Sequence, residues 1–135
     1  MVFGAFDCLH PGHLDFFKQA KKFGDFLIVS VGTNANVKKI KGKKPLFGEK
    51  ERLSLVQQLK IVDKVILGVE ENFYKQIKGF TPDVICLGYD QWAQEEDVRR
   101  ELKKVGLFKT KVVRLKPYKS KKAKSSIVKS KSVDF

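Results

Sequence analysis

The chain has 135 residues, of which 42% are hydrophobic and 32% charged, and its formal net charge is +13. This length and composition predict a single domain, residues 1–135, with one hydrophobic core. No run approaches the roughly 20 apolar residues of a membrane span, and the first residues do not resemble a signal peptide, so we expect a cytoplasmic protein without a membrane partner. Cys8 and Cys86 lack C-x-x-C spacing, which argues against a zinc site or a disulfide framework.

Positive charge is concentrated in two segments. From Lys109 to the end of the chain there are ten Lys or Arg residues and one acid, and the basic C-terminal segment begins at about residue 116. A second group of five lysines lies within residues 38–44. Blocks of this kind attract phosphate, either in small molecules or in nucleic acid.

The hydrophobic pattern predicts strands that alternate with helices along the whole chain. Alternation with connections too long for hairpins, together with nearly continuous apolar strands, is typical of an α/β domain with a doubly wound parallel sheet. Residues 38–44 are predicted to form a lysine-rich loop closed by Pro45. The predicted strands are 2–4, 25–32, 62–67, 82–88 and 111–115, and the predicted helices are 13–23, 48–60, 72–78 and 94–105.

Residues 4–13 join the first strand to the first helix and contain both histidines of the chain. Amide groups at a helix N-terminus bind anions, and His10 and His13 can hydrogen-bond phosphate oxygens in either the neutral or the protonated state. Gly12 between them allows a ligand to approach the backbone closely. Because the chain has neither a P-loop nor a G-x-G-x-x-G motif, this turn is the predicted phosphate site.

The H-x-G-H string and the preceding G-x-F-D resemble the cytidylyltransferase-like family of nucleotidyltransferases. The resemblance implies a Rossmann-like five-stranded sheet of order 3-2-1-4-5. It also implies transfer of a nucleoside monophosphate from a nucleoside triphosphate to a phosphorylated acceptor, with release of pyrophosphate. Ala5 stands where the family usually has threonine, so a hydroxyl contact is missing.

The same resemblance assigns roles to particular residues. Asp7 would either hold the turn or help to place a metal, and Asp90 would contact a ribose or the metal. A divalent metal, magnesium, is expected because the triphosphate charge must be neutralised, but its protein ligands are not identified. The implied catalytic residues are His10, His13 and Lys43, and the implied nucleotide-binding residues are Gly4, Ala5, Phe6, Asp7, His10, Gly12, His13, Lys44, Arg52, Gly88, Asp90, Ser125 and Ser126.

The identity of the acceptor remains open between three functions. The strings at 41–45, 62–68 and 87–91 are most similar to archaeal FAD synthases, which transfer AMP from ATP to FMN, and a flavin would need an apolar slot. The second alternative is a CTP-dependent cytidylyltransferase acting on glycerol 3-phosphate or a related alcohol phosphate. The third is a non-catalytic nucleic-acid binder that uses the basic segment. The resemblance also implies a homodimer. The aromatic candidates for the flavin slot are Phe47, Phe73, Tyr74 and Trp92.

Overall fold

The computed structural model describes residues 1–118, so Ser125 and Ser126 lie outside the described part of the chain. Within residues 1–118, no helix combines the length and apolar character needed to cross a membrane. The elements are β1 (Val2–Gly4), α1 (Pro11–Lys21), β2 (Ile28–Val31), α2 (Asn34–Lys41), α3 (Glu49–Gln57), β3 (Lys64–Leu67), α4 (Phe73–Phe80), β4 (Val84–Leu87), α5 (Glu95–Lys104) and β5 (Lys111–Arg114).

The strands form one parallel sheet in the order β3-β2-β1-β4-β5, which confirms the predicted doubly wound α/β fold. The central strand β1 pairs with β2 on one side and with β4 on the other, and Val2 lies opposite both Val29 and Cys86. The strand order reverses at β1, so the connections that leave β1 and β4 diverge there. In such sheets this divergence opens a ligand crevice at the carboxyl ends of the strands.

Apolar side chains cover both faces of the sheet. On one face, Phe17 of α1 and Val56 of α3 pack with Val29 of the central sheet. On the other face, Ile77 of α4 and Leu102 of α5 pack in a second cluster. Each of these side chains is fully buried or nearly so, and such burial contributes about 1.5–3 kcal/mol per large apolar residue. The two clusters fix the sheet, and with it the positions of the turns at its carboxyl edge.

The lysine-rich segment is partly helical, so the prediction of a loop over residues 38–44 was wrong for its first half. Thr33 caps α2 by accepting a hydrogen bond from the Asn36 amide at 3.1 Å, and Val37 anchors the helix in the interior. Gly42, in the left-handed region at φ 80°, ends it. Helical spacing therefore decides which lysines of the group face the crevice.

Candidate active site

The two histidines are held by hydrogen bonds within the turn between β1 and α1. His10 is the N-cap of α1, and its Nδ1 accepts a hydrogen bond from the Gly12 amide at 3.0 Å. The Nδ1 of His13 accepts a hydrogen bond from the His10 amide at 3.2 Å. The rings stack with their centroids 3.9 Å apart. Since each Nδ1 is an acceptor, a neutral ring carries its proton on Nε2, which is then a donor.

Both imidazoles are held in the neutral state. Burial lowers the pKa of His13 to about 3, and the nearby charges of His10 and Lys41 add to this effect. Burial also lowers the pKa of His10. Of the neutral and protonated states that the sequence left open, these lowered pKa values favour the neutral state at pH 7, in which each Nε2–H is a donor.

Gly4 and Gly12 leave space for neighbouring rings. A Cβ on Gly12 would lie 2.7 Å from Cε1 of His10, and a Cβ on Gly4 would lie 2.7 Å from Cζ of Phe6. Both distances are far shorter than van der Waals contact. A side chain at Gly12 would therefore displace the His10 ring as well as limit the approach of a ligand.

Asp7 fastens the histidine turn to the chain segment that follows α2. Its carboxylate is 6% exposed and accepts hydrogen bonds from the amides of Leu46 at 2.6 Å and Phe47 at 3.0 Å. The flanking residues, Phe6 and Cys8, both have left-handed backbone conformations, with φ of 52° and 54°. Such conformations are unfavourable for residues with side chains and persist where surrounding contacts enforce them. Of the two roles predicted for Asp7, this geometry favours holding the turn.

Arg52 lies in the interior and does not face the crevice, contrary to the nucleotide-binding role that the resemblance implied. Its guanidinium is 0% exposed and donates hydrogen bonds to the carbonyl oxygens of Ala5 at 2.8 Å and Phe47 at 2.8 Å. A third hydrogen bond reaches Oδ1 of Asn34 at 2.9 Å. Arg52 therefore connects the histidine turn, the segment before α3 and the start of α2.

Lys41 is a candidate site residue that the sequence analysis missed. Burial lowers its pKa, while the carboxylates of Asp90 and Asp7 act in the opposite direction. It also lies close enough to His13 to influence the pKa of that imidazole. Lys43 and Lys44, the lysines selected from the sequence, follow α2, and all three lysines are exposed. Nothing in the sequence distinguishes Lys41 among five lysines; its position at the end of a helical face does.

The loop after β4 approaches the end of β1, as the strand order predicted. Gln91 joins the two, because its Oε1 accepts from the Gly88 amide at 2.8 Å and its Nε2 donates to the Phe3 carbonyl at 2.7 Å. Arg114 donates to the Gly88 carbonyl at 2.8 Å. Both backbone polar groups of Gly88 thus bond within the protein, and Gly88 shapes this loop, while Asp90 is exposed beside Lys41. Neither Gln91 nor Arg114 was predicted from the sequence.

The aromatic residues suggested for a flavin slot are dispersed. Phe73 packs against Phe3 with ring centroids 5.0 Å apart and against Tyr74 at 5.1 Å. Trp92 is 73% exposed. Phe47 is half-buried beside the carboxylate of Asp7.

A metal ion at this edge would have to be held largely by the substrate. Within residues 1–118, His, Cys, Asp and Glu side chains form no group of three that could hold a metal ion. The carboxylate of Asp7 is already bonded to two amides, which leaves Asp90 as the exposed carboxylate near Lys41. Mg²⁺ in phosphoryl-transfer sites is commonly bound by one or two carboxylates together with substrate phosphates. These residues fit a cation that arrives with a nucleotide.

Comparison with known proteins agrees with the fold. A model of the cytidylyltransferase-like family matches residues 1–131. The chain is 49% identical over 113 residues to a FAD synthase of Ferroglobus placidus, covering 84% of this chain and 72% of that protein. It is 40% identical over 135 residues to a FAD synthase of Thermoplasma acidophilum, covering 100% of this chain and 94% of that protein.

The chain is also similar in fold to a solved structure. It is a crystal structure from Thermoplasma volcanium GSS1 titled as a lipopolysaccharide core biosynthesis protein, with a TM-score of 0.83 and 40% sequence identity. The match covers 88% of this chain and 96% of that chain. With its parallel sheet of order β3-β2-β1-β4-β5 and the paired histidines at the start of α1, the chain belongs to the cytidylyltransferase-like family.

Proposed function

We propose that this chain is an FMN adenylyltransferase, or FAD synthase, which transfers AMP from magnesium-bound ATP to FMN and releases pyrophosphate. The observation that carries the proposal is the pair of neutral histidines at the N-terminus of α1, each with Nδ1 bonded to a backbone amide. The choice of ATP and FMN is supported by the two relatives named FAD synthase, which are 49% and 40% identical to the chain.

The reaction requires positioning and charge stabilisation. An oxygen of the FMN phosphate attacks the α-phosphorus of ATP and forms a new P–O bond. The bond between that phosphorus and the oxygen bridging to the β-phosphate breaks, and its electron pair leaves with pyrophosphate. No proton has to move to a protein group. The Nε2–H groups of His10 and His13 stabilise the phosphate oxygens as negative charge develops on them.

Positive charge around the crevice complements the phosphates. Lys41 interacts electrostatically with His13, and Lys43 follows it on the adjacent segment. The N-terminus of α1 adds the positive end of the helix dipole. A magnesium ion bound with the triphosphate would supply the remaining charge neutralisation, with Asp90 as the exposed carboxylate that could hold it. The nucleoside would lie toward the loop after β4, with Asp90 as the candidate ribose ligand and Ser125 and Ser126 as further phosphate ligands.

Assembly as a homodimer is part of this proposal and is tested by sedimentation equilibrium.

The decisive experiment offers the full-length protein ATP or CTP with magnesium, each combined with FMN or glycerol 3-phosphate. We expect pyrophosphate release only with ATP and FMN, together with an equal amount of FAD. Release with CTP and glycerol 3-phosphate would instead identify a cytidylyltransferase. A nucleic-acid binder would be favoured if none of the four mixtures released pyrophosphate and if the protein bound duplex DNA or RNA at physiological salt, with binding that persists in His10→Ala.

A further inference from the structure

A cleft of about 320 Å³ lies between α2 and the start of α3. Ala35 and Pro45 give it apolar walls, and Lys38 and Lys44 provide two ammonium groups. Small-molecule sites characteristically combine an apolar lining with a few polar groups that fix the orientation of the ligand. The lining residues are Asn34, Ala35, Lys38, Lys44, Pro45 and Gly48.

Both walls of this cleft are connected to the histidine turn. On α2, Lys41 follows Lys38 by three residues and Asn34 by seven, so the three share one helix face. Lys41 in turn interacts electrostatically with His13. On the other wall, Pro45 directly precedes Leu46, whose amide is bonded to Asp7 of the turn.

The cleft is held in shape before any ligand binds. The backbone amide of Asn34 donates to Oε1 of Glu49 at 2.8 Å, which joins the start of α2 to the start of α3. The side chain of Asn34 accepts from Arg52 at 2.9 Å. The Gly48 amide donates to Oε1 of Glu51 at 3.2 Å. A preformed site avoids part of the ordering cost of binding.

The separation between the cleft and the histidine turn suits a ligand with a phosphate at one end and a ring at the other. Lys41 follows Ala35 by six positions on α2, which corresponds to about 9 Å along a helix axis. In FMN, the ribityl chain likewise sets the phosphate several ångströms away from the ring. The isoalloxazine ring presents an apolar dimethylbenzene edge and, at its other end, carbonyl oxygens that accept hydrogen bonds.

We propose that the cleft between α2 and α3 is the flavin subsite, an inference that depends on the proposed FAD synthase function. The FMN phosphate lies at Lys41 and His13, the ribityl chain runs along α2, and the ring packs between Ala35 and Pro45. Lys38 and Lys44 donate to the ring carbonyl oxygens. The acceptor phosphate then approaches the nucleotide from the side of the crevice opposite the loop after β4.

The test uses three single variants of the full chain. Ala35→Leu fills the cleft, Lys38→Ala removes one of its ammonium groups, and Lys39→Ala is the matched control. All three positions are exposed on α2, so the variants should keep the fold, which circular dichroism checks. Lys39 carries the same charge on the same helix but does not line the cleft.

We measure the KM values for FMN and for ATP, and the binding of riboflavin by quenching of its fluorescence. Riboflavin lacks the phosphate and therefore reports on the ring subsite alone. Ala35→Leu and Lys38→Ala should raise the KM for FMN about tenfold and weaken riboflavin binding to a similar degree, as loss of a charged hydrogen bond or of a fitted apolar contact predicts. The KM for ATP should stay within about twofold of wild type in every variant. In Lys39→Ala, the KM for FMN and the affinity for riboflavin should also stay within about twofold of wild type.

The outcomes separate this inference from the function on which it depends. If the wild type makes FAD while Ala35→Leu and Lys38→Ala retain the wild-type KM for FMN, the ring binds elsewhere and the flavin subsite is refuted, although the enzyme is still a FAD synthase. If the wild type neither makes FAD nor quenches riboflavin, the proposed function itself has failed.

Discussion

The guanidinium of Arg52 lies 2.8 Å from the carbonyl oxygen of Ala5, inside the protein and directly beneath the histidine turn. The same group bonds the Phe47 carbonyl and the Asn34 amide oxygen. One buried cation therefore aligns three chain segments that border the crevice. The consequence is that this arginine influences catalysis through the backbone it holds.

Replacing Arg52 with Met should destabilise the protein strongly. The substitution keeps an apolar side chain of similar length but removes the donor from three acceptors bonded to a buried group, and we expect a loss of roughly 3 kcal/mol in the free energy of unfolding. Urea denaturation measures it. Arg100→Ala is the control, because Arg100 is an exposed residue paired with Asp97 and should cost less than about 1 kcal/mol. Equal losses in the two variants would contradict the structural role of Arg52.

Gly12→Ala should abolish most turnover while the protein remains folded. The new methyl group would occupy space held by the His10 ring, which must then leave its hydrogen bond to the Gly12 amide. The matched variant is Gly79→Ala in α4, where an added Cβ meets nothing within 4 Å. It should retain full activity and gain about 0.5–1 kcal/mol from the higher helix propensity of alanine. If Gly12→Ala formed FAD at the wild-type rate, displacement of the His10 ring would not impair turnover and the prediction would be wrong.

His10→Asn should separate helix capping from catalysis. Asparagine is a good N-cap and can accept the bond from the Gly12 amide, but it lacks the Nε2–H group. Turnover should therefore fall about 100-fold or more, as for loss of one transition-state donor, with little change in stability. His10→Ala should lose the same activity and about 1 kcal/mol of stability in addition. An asparagine variant that turns over at the wild-type rate would rule out the proposed role of His10 as a donor.

The depressed pKa of His13 should make the protein less stable in weak acid. In the folded state its pKa is about 3, whereas the unfolded imidazole titrates near its ordinary value of 6.5. Below pH 6.5 the unfolded chain binds a proton that the folded protein does not, so stability is complete above that pH and falls as the pH drops toward 3. The loss is at most about 1.4 kcal/mol per pH unit for this group.

Urea midpoints measured between pH 8 and pH 5 test this expectation. His13→Asn keeps an acceptor for the His10 amide but removes the titrating group, so its midpoint should depend less on pH than that of the wild type. Parallel curves for the two proteins would mean that His13 has the same pKa in the folded and unfolded states, which would contradict the depressed pKa. The window avoids the range below pH 5, where Asp63 and Glu95, whose pKa values are lowered by Lys21 and Arg114, also begin to titrate.

Much of the architecture could be predicted because its cause is local. Buried parallel strands require apolar residues on both faces, and the run around Val29 has such a pattern. The order of the strands came from the family resemblance carried by the histidine motif, and it was correct. The lysine-rich segment was misassigned because α2 has a single buried anchor, Val37; the cap at Thr33 and Gly42 at the end of the helix were the available signals.

The roles of polar side chains depended on contacts between distant segments. Arg52 follows two acidic residues at the start of α3, and in the sequence it resembles an exposed helix residue. Its side chain bonds three acceptors contributed by the β1–α1 turn, α2 and the segment before α3. These acceptors lie up to 47 positions from Arg52 in the sequence. The selection of Lys41 over its neighbours depends in the same way on where one helix face meets Asp7 and Asp90.

The two charged residues that border the turn, Asp7 and Arg52, bind mainly to backbone groups. Asp7 is bonded to two amides, and Arg52 to two carbonyls and one side chain. The histidine turn is thus held mainly through backbone groups of the neighbouring segments. Its position therefore depends little on which side chains those segments carry. Residues such as Ala35 and Lys38 can therefore change during evolution without moving the histidines. An architecture of this kind allows one nucleotidyl-transfer centre to be combined with different acceptors.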